Sequence, residues 1–497
     1  MNKLFRLIKS LDKNEKRYVL LKIDLKKNYG NLYLFLSKEK AYDELRIHNH
    51  FKGETFLNRL PVIKKYLYDF LLKCLKNYSK INSVEAQVEN NIQTIKILLK
   101  KDLLQDAWLL IQKSQKICQS LELFHHELFI VKIKKKLINE SPIAGLPNYK
   151  DIYQEGNSIL EKMLNINQYW MLEKTISSLI KKHGRPRTKI DELRFSKVMQ
   201  NTYLQNFKNA KTIKSQKLYR NIHGYYYYAI ANKQKYYDST LQLLKILENN
   251  PHTISNNILE YRAVLHNFLN ASAQLGRNDH LFKTKLATLA ELPKKFKHNV
   301  NITASLSELI EAEVYHLKLL MEIECQRFKH AYNMLPAYQK LVYNPNFEVS
   351  DNPFITTFHQ NLGYISFGAE EYSDAITYFN YLLNLKNITV KPNLLVFIRI
   401  YILVSNFELK NYYLAESMTR SLYTYLLNKQ LYYAFEKIIL TFLRKLLQLG
   451  FNKQDKLKLI IRKTLDEIKI LQTNKYEKIQ IEENFVLVLW MQKKINQ

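Results

Sequence analysis

At 497 residues the chain exceeds the ~250 to 300 residues at which one hydrophobic core stops growing, so it is either several domains or an elongated repeat array. A hydrophobic content of 46% excludes disorder on a large scale, and only 10 glycines and 10 prolines leave material for few turns and hence long helices. Against 45 acidic residues stand 76 Lys and Arg, a net charge of +31 spread along the whole length; it suits an acidic partner, with compositional drift as the competing account.

Residues 1 to 82 predict a compact N-terminal helical module. Leu4, Phe5, Leu7, Ile8 and Leu11 form one apolar stripe, and Asp12 followed by Glu15 has capping-box spacing for a second helix. This N-terminus lacks the apolar core of a signal peptide. After Gly53, the residues Phe56, Leu60, Ile63, Leu67, Leu71 and Cys74 recur at helical steps, and Pro61 sits in the first turn, where proline does least harm. A helix-turn-helix here is the alternative to a plain cap, although no diagnostic turn marks it.

From about 83 to 450 one pattern keeps returning: a helix, a short polar turn, and a second helix opening near a small residue. The clearest copy runs from Asn361 through Leu362-Gly363 and Ala375 to Phe379. It resembles the tetratricopeptide repeat, whose L-G, A and F spacing falls on Leu362, Gly363, Ala375 and Phe379; Ser366 stands where the family prefers Tyr, and Asn387 replaces the closing Pro. Weaker copies place the small residue at Ala107, Ser239, Ala331 and Ala415, and the one at Ser239 also carries the proline, Pro251. Ala331 to Ala375 spans 44 residues and Ala375 to Ala415 spans 40. Against about 34 for the standard repeat, the helices must be long. The resemblance implies an all-α protein, an α-solenoid of helical hairpins that stack because no hairpin buries its apolar face alone, with a concave surface for ligands. Ser141-Pro142 and Leu146-Pro147 mark where such an array could break, and residues 451–497 read as two capping helices separated near Thr473-Asn474, with Leu487, Trp490 and Met491 inward.

One loop stands out chemically. Lys181, Lys182, Arg185, Arg187 and Lys189 surround Gly184 and Pro186. The strip resembles the AT-hook, whose Gly-Arg-Pro core lies in a narrow minor groove; the resemblance implies arginines pointing into the groove and lysines on phosphates. The structural alternative is an inter-helix loop in which Gly184 ends one helix and Pro186 prevents its resumption. Lys132, Lys134, Lys135 and Lys136 read as a solvated helix end. Of the four tyrosines Tyr225 to Tyr228, two should face the core and two the surface, because neighbours on a helix point apart.

His125-His126-Glu127 and His48-Asn49-His50 are too closely spaced on a helix to chelate together, and Cys74, Cys118 and Cys325 have no metal or disulfide spacing, so neither metal nor cofactor is expected. No phosphate-binding, dinucleotide-binding, metalloprotease or hydrolase motif occurs, and no run reaches the ~18 apolar residues of a membrane span. The sequence therefore points to a non-enzymatic cytoplasmic scaffold or adaptor that grips a protein or peptide in the array. The alternative is a nucleic-acid-binding protein using its basic surface and the 181–189 loop. By fold-level analogy, a further reading is a transcriptional regulator joining an N-terminal DNA-binding module to a sensing array.

Overall fold

The structure, a computed structural model, describes residues 3–11, 13–82, 84–140, 145–297, 302–342, 352–385, 392–449 and 454–496. Among these residues the chain forms 26 α-helices, two short 3-10 turns and no strand. It divides into two compact units, Met1–Leu164 and Asn165–Gln497.

Unit 1 holds α1 (Lys3–Ser10), α2 (Lys13–Lys22), α3 (Asn28–Lys38), α4 (Glu44–His50), α5 (Leu60–Asn82), α6 (Val84–Lys100), α7 (Leu104–Ser120) and α8 (Phe124–Glu140). It also holds the first part of α9 (Tyr149–His183), within which the division lies. Leu4, Phe5, Ile8 and Leu11 are buried as the periodicity requires, in one core with Leu32, Leu36, Ile47, Leu67 and Leu71. A second core joins Val88, Ile95, Trp108, Ile111, Ile130 and Leu137. Asp12 and Ser141-Pro142 lie outside the described residues.

Unit 2 continues with α10 (Lys189–Met199), α11 (Thr202–Gln205), α12 (Ile213–Ala229), α13 (Lys233–Glu248), α14 (Pro251–Asn256), α15 (Ile258–Ala273), α16 (His280–Lys295), α17 (Ala304–Glu324) and α18 (Phe328–Val342). Then come α19 (Asn352–Gly368), α20 (Tyr372–Leu383), α21 (Pro392–Glu408), α22 (Tyr412–Asn428), α23 (Ala434–Leu449), α24 (Gln454–Leu471), α25 (Lys475–Glu483) and α26 (Phe485–Asn496). Side-chain caps explain many of the starts: Thr188, Thr212, Asn232, Asn257, Asp279, Thr303 and Asn474 each accept a hydrogen bond from an orphan backbone N–H of the helix that follows. Packing is sequential, with α12 on α13, α17 on α18, α19 on α20 and α21 on α22. Alternate helices also touch: α13 meets α15, α15 meets α17, and α17 meets α19.

One turn recurs through both units. Asp102, Glu122, Ala231, Gly276, Gln326, Glu370, Lys410 and Gln430 all follow a helix with φ between +53° and +73°. In each, the next residue donates its N–H to a carbonyl five positions back, as Glu371 does to Ser366 at 2.9 Å and Asn411 to Asn406 at 2.9 Å. This is the Schellman closure, which satisfies carbonyls that a helix end leaves orphaned. Ala107, Ala331, Ala375 and Ala415 each stand five residues after the left-handed residue, and all are fully buried. Ser239 stands eight after Ala231, and a Cβ on Gly224 of α12 would lie 3.9 Å from the Ser239 Cβ. In α19 a Cβ on Gly363 would come within 2.4 Å of the buried Phe379 ring, so only glycine lets α20 approach that closely. Pro251 is the first residue of α14, where a missing N–H costs nothing, whereas Asn387 lies outside the described residues.

The C-terminal segment departs from the sequence expectation. After α24 there are two helices, not one: Asn484 ends α25, and α26 begins at Phe485. Leu487, Trp490 and Met491 are buried, but Val486 is as well, and Phe485, Val488 and Leu489 are half-buried. The first two turns of α26 are thus buried or half-buried all round, whereas Gln492 and Lys493 beyond them are exposed.

Candidate functional site

The arrangement with the most chemistry in unit 2 is the seat of α25 and α26. Three helices that each open a sequential pair line it: α19, α21 and α23. Helix α26 packs on α19 and α24, and α25 packs on α23. Trp490 lies edge-on to Phe442 of α23 with centroids 6.1 Å apart, and its indole N–H donates to Glu408 of α21 at 2.8 Å. Lys494 reaches the other Glu408 oxygen at 2.8 Å, and Lys493 reaches Glu370, just past α19, at 3.1 Å. Beside α26, a cleft is lined by Phe328, Phe367, Gly368, Tyr372, Val486 and Trp490.

The opposite end is held by the basic loop. Gly184 closes α9 with φ +70° and accepts the left-handed turn that an L-residue resists. Pro186 is buried, and Thr188 caps α10. Arg187 is turned inward: it grips Glu436 of α23 through both terminal nitrogens at 2.9 and 3.0 Å and reaches Glu477 of α25 at 3.4 Å. Its guanidinium lies 4.1 Å over the Tyr433 ring. Arg185 pairs with Glu483 at 2.7 Å and stacks 4.5 Å over Tyr228. Glu477 also accepts from the backbone N–H groups of Ala434 and Phe435 at 3.3 Å each, placing a carboxylate on the positive end of α23. Burial pushes the Glu436 carboxyl above its ordinary value, and the Arg187 guanidinium pulls only part of that back. At α10, Glu192 accepts from Tyr476 at 2.7 Å and pairs with Lys475; those two donors hold its carboxyl below the ordinary value.

Of the residues in the AT-hook-like strip, Lys181, Lys182 and Lys189 are exposed, whereas Arg185 is half-buried and Arg187 buried. The two arginines bind protein carboxylates, so the geometry is that of a structural clasp, in which each hydrogen bond is charge-assisted and Arg187 meets Glu436 in bidentate fashion. The lysine run on α8 also departs from the expected solvated end. Lys134 is buried against Glu155 of α9 at 2.9 Å, while Lys132, Lys135 and Lys136 are exposed. Tyr225 to Tyr228 are all half-buried and do not split into two core and two surface residues, because α12 is covered on more than one side and Tyr228 lies beneath Arg185.

The partner acids Glu436, Glu477, Glu483, Glu370 and Glu408 were not singled out from the sequence. One signal was present: Glu436 shares the face of Leu440 and Leu443 on α23, where a lone acid interrupts an apolar stripe. Among the described residues no group of three His, Cys, Asp or Glu could hold a metal ion, and no helix is long and apolar enough to cross a membrane. No family model, no curated protein and no solved structure matches the chain.

Proposed function

We propose that the chain is a non-enzymatic scaffold or adaptor whose unit 2 forms a tetratricopeptide-like hairpin array that binds a protein or peptide on the face lined by α19, α21 and α23. The observation that carries this reading is that this face already holds a helical segment of the chain itself, with an aromatic anchor, an apolar body and ionic clamps at both ends. Surfaces that bind amphipathic helices use the same ingredients. A photo-crosslinking residue in place of Tyr372, which lines the cleft, captures the partner on irradiation; one in place of Tyr413, which is 93% exposed, does not. Capture from Tyr413 alone sinks the reading.

A second reading, binding of nucleic acid on the outer surface, draws support from the exposure of Lys181, Lys182 and Lys189 in a chain of net charge +31. It rests on the lysines, because the arginines are engaged internally. Binding to duplex DNA or single-stranded RNA then falls steeply with salt, and a K181A/K182A/K189A variant shows a shallower slope. An unchanged slope removes these lysines from the interface.

A further inference from the structure

We propose that α25 and α26 are an internal ligand. They occupy in cis the seat that an external partner takes, and that partner is a basic amphipathic helix carrying a bulky apolar anchor with lysines or arginines one turn beyond it. The inference rests on the scaffold reading above and adds both the chemistry of the partner and the means by which access is controlled.

Charge points to this partner. In a chain with 76 basic and 45 acidic residues, an average surface is basic, yet the seat presents Glu192, Glu370 and Glu408 to the C-terminal segment. The segment answers with Lys475, Lys493 and Lys494. At α25 the seat also offers cations, Arg185 and Arg187, to Glu483 and Glu477 of the segment, but where it meets the end of α26 it is acidic, and there it selects a basic occupant.

Fit points to displacement. The seat is well made in the middle, where Leu487 and Met491 are fully buried, and imperfect at its edges. Asn484 Oδ1, at the joint between α25 and α26, is buried without a hydrogen-bond partner, as are Arg185 Nε and Arg187 Nε in the clasp. A buried polar atom left unpaired forfeits the hydrogen bond it had with water. The cleft beside Trp490 and Phe328 leaves further apolar surface unfilled. Asn484 leaves with the segment, so a competing helix that offers acceptors to the two arginine Nε groups and fills the cleft gains what the internal helix lacks. Covalent tethering holds the internal helix in place in the absence of such a competitor, because its effective concentration is high.

The test uses the full chain and a fluorescein-labelled peptide of residues 475–497, read by anisotropy alongside hydrogen exchange. In K493E/K494E the internal helix loses both lysine clamps, so the peptide binds at least tenfold more tightly than to the wild type, while α19 keeps its amide protection. Adding E370K/E408K to that variant restores the internal clamps with reversed sign and faces the peptide's lysines with lysines, and binding falls back to the wild-type level or below. In the wild type, the amides of α26 exchange before those of α21. The proposal is overturned if K493E/K494E refuses the peptide while its α26 amides exchange freely, or if α26 amides exchange only together with those of α21 in every variant. Either result leaves cross-linking at Tyr372 unaffected if the scaffold reading alone is right, so the two readings fail separately.

Discussion

Two connections in unit 2 do the same job by different means. Between α19 and α20, the chain turns at Glu370 with φ +73°, and the backbone closes on itself through Glu371 N–H and the Ser366 carbonyl at 2.9 Å. Between α9 and α10, Gly184 makes a similar left-handed exit at φ +70°, but the loop is then held by Arg187 reaching Glu436 and Glu477, 249 and 290 residues further along the chain. The tight turn needs only a few consecutive backbone groups and tolerates Asp, Glu, Ala, Gln or Lys at its left-handed position. The clasp depends on particular side chains and on the rest of the unit being in place. Local closure therefore repeats along the chain, whereas the clasp belongs to one place.

The largest test of that contrast is Arg187→Ala. It leaves the carboxylates of Glu436 and Glu477 buried without their cation, which costs about 3–5 kcal/mol. Hydrogen exchange should show protection lost first across α23 and α25, with α19 and α20 affected least; uniform loss would mean that the clasp supports the whole unit. Arg187→Lys keeps the charge but not the planar fork that meets Glu436 at two points. Its exchange profile should show the same elements weakened to a smaller degree.

On the other side of the comparison, Gly363→Ala forces a methyl group to within 2.4 Å of the Phe379 ring, which is itself fully buried and has nowhere to turn. The overpacking costs about 1–3 kcal/mol, and exchange should rise in α19 and α20 but not at the clasp. The smallest effect has the opposite sign. Lys410 is exposed and left-handed at φ +63°, so Lys410→Gly relieves an L-residue of an unfavourable conformation and stabilises by about 0.5–1 kcal/mol, read as a small rise in melting temperature. A fall instead would mean that the lysine side chain does more at that turn than occupy it.

The basic strip at 181–189 shows where sequence reading stops. Glycine and proline at 184 and 186 were legible as a helix end and a block to its resumption, and both serve that way. The direction of the arginines was not legible, since a run of cations reads the same whether it faces phosphate or buried glutamate. Glu436 carried the only local hint, an acid on an apolar face. Glu477 and Glu483 sit in a short helix whose sequence, Lys-Tyr-Glu-Lys-Ile-Gln-Ile-Glu-Glu, looks solvent-facing until α23 and the loop are brought against it.

By itself the sequence determined what short-range physics decides. Few glycines and prolines with apolar residues at 3 to 4 residue steps make helices, and the small residues Ala107, Ala331, Ala375 and Ala415 are fully buried. Tertiary structure alone decided that Arg185 and Arg187 turn inward, that Lys134 is buried on Glu155, and that Asn484 divides the last segment into two helices. The physical reason is range. A helix and its cap are fixed by groups within about four residues of each other, whereas a buried charge is tolerated only where its counter-charge arrives, and here that partner lies up to 290 residues away.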